Sequence, residues 1–176
     1  MQITTPRLVL RPNGPEYLES TCAYAADPEA TRLMVFLPVE SRAEALQFLR
    51  DAAAEWAKTE PAYYEFAVLQ DGEHLGGLTL YMLEGARDEA ELGWIIRRDR
   101  WRQGIAYESV VAMMEWGRRA LGIRRYIAQC DAANVGSYRL MEKLGMRCID
   151  RDGRRKNRSS DEERRELTYE ITYDGD

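Results

Sequence analysis

Residues 90–121 constrain this chain more than any other stretch, because the side-chain period changes within them across a glycine. Residues 90–96 (AELGWII) read as a strand, and the turn that follows, RRDRWR, is basic and carries Trp101. After Gln103 and Gly104, the residues Ile105, Val110, Met113, Met114, Gly117 and Leu121 recur on one helical stripe. A strand that turns through glycine into a helix leaves the first helical N–H groups without intrahelical partners. Those donors, aligned with the helix dipole, suit a phosphate. Gly104 and Ala106 keep bulk away from the backbone, and Arg100 and Arg102 would add fork-shaped donors at the rim. The stretch therefore reads as the diphosphate seat of a nucleotide-bearing cofactor, with a plain tight turn as the competing reading. It lacks the Gly-Lys-Ser/Thr ending of a Walker loop and the third glycine of the dinucleotide fingerprint.

Composition narrows the class. Hydrophobic residues make up 45% and charged residues 31%, which fits a globular chain and not a disordered one. A formal net charge of -5 argues against a broad nucleic-acid surface. No apolar run approaches the roughly 20 residues of a membrane span, and the start lacks the basic-then-apolar pattern of a signal peptide. Cys22, Cys130 and Cys148 are odd in number and lack metal-ligand spacing, so reduced thiols in a cytoplasm and no metal are expected. With no linker or repeat, residues 1–176 are expected to form one domain.

In chain order, residues 3–10 read as a strand with Pro6 near its start, and Asn13-Gly14-Pro15-Glu16 as a helix start. Asp27-Pro28-Glu29 offers a second helix start, and Ser41-Arg42-Ala43-Glu44 a capping box opening a longer helix. Residues 64–69 and 75–81 read as strands joined by a turn at Asp71-Gly72. The glycine-led helix ends near Gly122, residues 124–130 form a strand, and Asp131 to Asn134 turn into a short helix stopped by Gly145. Residues 146–149 and 167–173 make a last pair of strands. Between them, charged residues 151–165 read as a solvated loop of mixed sign, with an acidic partner on the basic half as the alternative. The fold class is α/β: a mixed, mostly antiparallel sheet of about seven strands with helices on both faces.

The order strand, Arg/Trp-rich turn, Gln103-Gly104-Ile105-Ala106, helix, strand, Asn134-x-x-Ser137 and Glu142-Lys143-Leu144-Gly145-Met146 resembles the GNAT superfamily of acyl-CoA-dependent N-acyltransferases. The opening Thr5-Pro6-Arg7-Leu8-Val9-Leu10-Arg11 and the form Trp101-x-x-Gly104-x-Ala106-x-Glu108 are similar to its RimJ/RimL-like branch. That branch acetylates N-terminal amines of ribosomal proteins and includes antibiotic and polyamine acetyltransferases. The resemblance spans essentially the whole chain and implies a GNAT fold with acetyl-CoA as cosubstrate. It also implies that Arg102, Gln103, Gly104, Ile105, Ala106 and Tyr107 hold the CoA diphosphate through backbone amides. Trp94, Ile95, Ile96 and Arg97 would pair with the pantetheine arm as though it were an added strand. A free N–H near Ile96 would polarise the thioester carbonyl, while plain strand core is the other reading of Ile95 and Ile96.

Amine acylation needs a base for the ammonium and a donor for the departing thiolate. Glu91 is the expected base, directly or through a water, against the plain reading of a solvated strand carboxylate; Glu65 and Glu89 rank below it. His74, beside a hairpin turn, reads as a surface residue. Many family members use a tyrosine as the donor where this chain has Met141. The resemblance therefore moves that role to Ser137, with Tyr138 as its substitute and Asn134 at the pantetheine or phosphate. Helix capping alone would also account for Asn134 and Ser137. Tyr24, Met34, Phe36 and Leu37 would line an apolar acceptor wall. No cysteine lies beside a plausible base, so direct attack within a ternary complex is expected. The expectation is a cytoplasmic N-acetyltransferase acting on a primary amine, either a small molecule or a protein N-terminus. It has no nucleic-acid or membrane partner, and the family is commonly homodimeric. A non-catalytic acyl-CoA sensor is the alternative, supported by the missing tyrosine, and a purely structural domain would bind no CoA at all.

Overall fold

Pro6 has no N–H to give to a ladder, and the chain turns there. Thr5 N donates to Leu8 O at 2.9 Å and Leu8 N to Thr5 Oγ1 at 2.9 Å. The strand expected over residues 3–10 is therefore two, β1 (Ile3–Thr4) and β2 (Val9–Pro12), paired antiparallel. That division raises the sheet from about seven strands to eight. The computed structural model, which describes residues 1–173, orders them β1-β2-β3-β4-β5-β6-β8-β7.

A 3-10 turn at Pro15–Tyr17 leads into α1 (Leu18–Ala25). Asp27 caps α2 (Pro28–Thr31) by accepting from Glu29 N at 2.9 Å. Ser41 caps α3 (Arg42–Trp56), its Oγ accepting from Glu44 N at 3.1 Å. Glu44 reaches back to Glu40 N at 2.6 Å, one residue beyond the partner a strict capping box would use. β3 (Tyr63–Gln70), β4 (Glu73–Met82) and β5 (Glu89–Ile96) form an antiparallel meander. Past a 3-10 turn at Arg98–Arg100 comes α4 (Ile105–Trp116), extended by a π turn at Gly117–Leu121. β6 (Arg125–Asp131), α5 (Val135–Lys143), β7 (Arg147–Lys156) and β8 (Glu163–Thr172) complete the order. No helix among the described residues is long and apolar enough to cross a membrane.

The two faces of the sheet are furnished differently. Phe66, Leu78, Leu80, Leu92, Ile96, Tyr126 and Tyr169 meet Ile105 and Met113 of α4 and Met141 of α5 in one apolar core. The strand period of two sends Tyr63, Glu65, Thr79, Tyr81, Glu91 and Gly93 to the other face. There α1 lies close: a Cβ on Gly77 would fall 2.8 Å from Glu65 Oε1 and 3.5 Å from Tyr24 OH. Only glycine at 77 leaves room for that carboxyl.

Residues 151–165 are not the solvated loop that their charges suggest. β7 and β8 run through most of them, and opposite charges pair within and beside the hairpin. Arg155 meets Glu166 at 3.1 Å, Arg154 meets Glu163 at 3.4 Å, and Arg164 meets Asp131 of β6. The hairpin tip folds over the segment between α2 and α3. Arg158 N donates to Met34 O at 2.9 Å, its Nη1 to Phe36 O at 3.1 Å, and the guanidinium pairs with Glu44 at 2.6 Å.

Candidate active site

β5 and β6, the one parallel pair among the described residues, stay together only from Glu89↔Arg125 to Glu91↔Ile127. Beyond Glu91 they part, and among the described residues no strand pairs with residues 92–96 of β5 on that edge. Arg97 N donates to Leu75 O on the β4 side at 2.8 Å. Successive N–H groups of a strand point to opposite edges, so those of Trp94 and Ile96 face the gap. Ile96 O, on the same edge, accepts from Trp101 Nε1 at 2.7 Å, which closes that end with a ring still 42% exposed. The other edge is pinned: a Cβ on Gly76 (φ +156°) would lie 2.1 Å from Ile95 O.

α4 begins at the head of this gap. Gly104, its N-cap, is left-handed (φ 79°, ψ 2°), and no side chain caps the helix. Arg102 is left-handed as well, at φ 60°. Such alternation curls successive amides into a concave donor surface, continuous here with the helix's own free N–H groups. Arg7 fastens the loop, its Nη1 donating to Gln103 O at 3.0 Å and its Nε to Glu108 Oε2 at 2.7 Å. Thr5 Oγ1 donates to Glu108 Oε1 at 2.6 Å. Of the arginines in the turn, Arg97 is held by Glu73 and Asp99, Arg98 by Asp27 and Arg100 by Glu73. The expected rim therefore reduces to Arg102, which is exposed and has no salt bridge among the described residues. Ile105 is buried in the core and offers a ligand only its main chain. Tyr107, half-buried, carries Lys143 Nζ 4.1 Å above its ring.

α5 starts across the gap. Asn134 Oδ1 accepts from Ser137 N at 3.2 Å, so Asn134 is the helix cap in fact. Ser137 is half-buried beside it. Tyr138 turns toward β8 and lines, with Ala132, Leu167 and Tyr169, a hollow of about 260 Å³ on the core face. That places Tyr138 across the sheet from Glu91. Met141 is fully buried.

The face under α1 carries the titratable groups. Glu91 is half-buried; burial raises its pKa, Glu166 raises it further, and Arg155 opposes. Tyr81, paired with Glu91 across the strands, has its phenol pushed up to about 12 by burial and the nearby Glu65. Phe36, 71% exposed, overhangs Tyr81 with ring centroids 6.5 Å apart. Tyr24, expected in the acceptor wall, is buried instead, while Met34 and Leu37 are half-buried. Glu65 is buried, accepts from Thr79 Oγ1, and is pushed up to about 8 by burial. Glu89 is bound by Arg125. His74 is not at the surface: it is 6% exposed and its ring lies tilted against Tyr17, with centroids 4.6 Å apart. Its ring nitrogens meet Ser20 Oγ at 2.7 Å and Gly76 O at 2.9 Å. Burial pushes its pKa down to about 4. Leu75, on the far side of the turn from Asp71-Gly72, would have been the better guide, since the strand is apolar immediately past His74.

Comparison with known proteins decides the family. The family model described as an acetyltransferase (GNAT) domain matches residues 7–147. This chain is a GNAT acetyltransferase. It is 28% identical over 149 residues to the uncharacterized N-acetyltransferase YnaD of Bacillus subtilis (strain 168), covering 84% of this chain and 83% of that one. In fold it is similar to an acetyltransferase that modifies the N-terminal serine of 50S ribosomal protein L7/L12 from Salmonella typhimurium. That likeness has a TM-score of 0.87 at 16% identity and covers 99% of this chain and 100% of the other. A RimL L7/L12 alpha-N-protein acetyltransferase in complex with coenzyme A matches at TM-score 0.84 and 18% identity, over 100% of both chains.

In this GNAT chain, three features of the site are plain only in three dimensions. The Thr5–Arg7–Glu108 tie fastens the opening segment to the first turn of α4. Asp131, 1% exposed, accepts from Asn157 Nδ2 at 2.7 Å and from Arg164, and so fixes the β7–β8 hairpin beside the start of α5. Glu65, ranked low from sequence, is a buried carboxyl on the sheet face under α1.

Proposed function

We propose that this protein moves an acetyl group from acetyl-CoA to a primary amine by direct attack within a ternary complex. The observation that carries the reading is the parting of β5 from β6 beside the uncapped start of α4. A free strand edge and an anion seat, end to end, fit a pantetheine arm followed by a diphosphate. Main-chain N–H groups from Arg102 through Gln103, Gly104, Ile105 and Ala106 to Tyr107 bind the diphosphate, and Arg102 adds its guanidinium. Trp94, on the free edge, pairs with the pantetheine amides and the Ile96 N–H meets the thioester oxygen, while Ile95 and Arg97, expected to join them, turn their main-chain groups to β4. Bound acetyl-CoA supplies an acyl group already activated as a thioester. Glu91 takes a proton from the amine, directly or through a water, and Ser137 donates to the departing sulfur. Asn134 holds the start of α5 beside the arm. Tyr138, turned toward β8, is given no step.

In this reading the gap joins the two faces of the sheet. The coenzyme therefore comes from the α4 and α5 side and the amine from the α1 side, which favours direct transfer. The thiols favour it too: Cys130 is buried and pushed up to about 12. The acceptor is a small-molecule amine or a protein N-terminus, the latter being the substrate named for the L7/L12 acetyltransferases. A single domain acting in the cytoplasm belongs to the same reading. One observation favours a second reading, a CoA sensor without turnover: the thiolate-donor tyrosine is replaced by Met141, and that side chain is fully buried.

Calorimetry tests the seat. Wild type should bind CoA, and Gly104→Glu should not, because it sets a carboxylate and a Cβ at a left-handed position among the phosphate donors. Absence of heat at millimolar CoA from wild type would overturn the assignment. Thiol release with peptide N-termini, polyamines and aminoglycosides then separates enzyme from sensor.

A further inference from the structure

The buried and half-buried carboxylates of this chain follow a rule with two exceptions. Asp27, Glu44, Glu55, Glu89, Glu108, Asp131, Glu166 and Glu170 each pair with an arginine or lysine. Among the described residues, Glu65 and Glu91 alone have no such partner, and both lie on the face under α1. On the sheet grid they are two strands and two residues apart, roughly 12 Å, with Thr79 and Gly93 between them. Thr79 Oγ1 donates to Glu65 Oε2. A Cβ on Gly93 would lie 3.6 Å from that Oγ1 and 3.9 Å from Tyr81 Cε2, so the glycine leaves a space beside the hydroxyl that the Tyr81 ring borders. Asn13 Nδ2, in a residue only 1% exposed, has no hydrogen-bond partner although its amide lies close enough to act on Glu65. Such an arrangement withholds a cation from a buried carboxyl and leaves one hydroxyl-lined approach to it.

We propose that Glu65, acting through the Thr79 hydroxyl, is the counter-charge and first proton acceptor for the ammonium of the acceptor amine, seated over Gly93. This rests on the transfer reading above and extends it. An alkylammonium sheds two protons on its way to an amide. The first passes to Thr79 Oγ as the Thr79 hydroxyl proton passes to Glu65, leaving a neutral amine and a neutral Glu65. The nitrogen then bonds to the thioester carbon, the C–S bond breaks, and the second proton goes to Glu91, while the sulfur leaves as a thiolate that accepts a hydrogen bond from the Ser137 hydroxyl. The groups that face Glu65 are Thr79 and Tyr81 of β4, Tyr63 of β3, Tyr24 of α1 and Asn13, with Glu91 beyond Tyr81. None is cationic. Burial holds Glu65 neutral up to about pH 8 in the free protein, and an arriving ammonium favours its ionised form.

Difference infrared spectroscopy of the CoA-saturated protein, wild type minus Glu65→Gln, isolates the Glu65 acid band. The band should titrate near pH 8, and saturating n-propylammonium should lower that midpoint by about one pH unit or more. Thr79→Val should keep the band and lose the ammonium response, and Thr79→Ser should restore it. A midpoint indifferent to n-propylammonium in a protein that binds CoA overturns the proposal and leaves the transfer reading standing. A response that survives in Thr79→Val removes the relay. Failure of CoA binding sinks the transfer reading itself, and this proposal with it.

Discussion

Glu65→Gln should make the protein more stable at neutral pH, by an amount that the burial of this side chain sets. In the folded chain the carboxyl keeps its proton up to about pH 8, against an ordinary value of 4.5. Below pH 4.5 both folded and unfolded states hold the proton, and the stabilisation from protonating the folded form is fully present. As pH rises, the unfolded chain releases the proton while the folded chain retains it, and stability falls by about 1.4 kcal/mol per pH unit. Wild type should therefore lose about 3 kcal/mol relative to the glutamine variant between pH 4.5 and pH 7, and about 4 by pH 8. For a chain of this size that is a melting-temperature gap of roughly 10 °C at pH 7. Thr79 can still donate to the glutamine carbonyl, so changed hydrogen bonding offsets one curve from the other without altering its slope. Urea denaturation of both proteins from pH 4.5 to pH 9, without CoA, measures the difference and cancels every other titrating group. Parallel curves across that range would refute the reasoning, since they would mean that Glu65 ionises as it does in water.

His74 works in the opposite direction. Its pKa is pushed down to about 4, so the stability of the neutral ring is present above pH 6.5 and lost as pH falls, by about 3 kcal/mol at pH 4. His74→Gln should flatten that acid limb in the same denaturation series. Gly76→Ala should destabilise by about 3 kcal/mol, because the new methyl meets the Ile95 carbonyl and displaces the β5 edge. CoA affinity measured by calorimetry should fall with it. Ser137→Ala should leave CoA affinity unchanged and slow thiol release by about tenfold or more. Unchanged turnover would remove Ser137 from the transfer step.

Much of this protein is written in short-range signals. Asp27, Ser41 and Asn134 each cap the helix their side-chain chemistry announces, Gly145 stops α5, and Gly104 opens α4, because each choice concerns a residue and its near neighbours. The uncapped, glycine-led start of α4 was legible for the same reason, being local backbone. Pairing across the fold was not. Arg154, Arg155 and Arg164 look like a solvated run until Glu163, Glu166 and Asp131 are brought opposite them, and only then do those residues form strands. The length over which β5 holds β6 depends on register between strands almost thirty residues apart in the chain. Glu65, Glu91 and His74 are ordinary letters in the sequence. What distinguishes them is burial and the absence or presence of a partner charge, and those are properties of the assembled sheet and the helices laid over it.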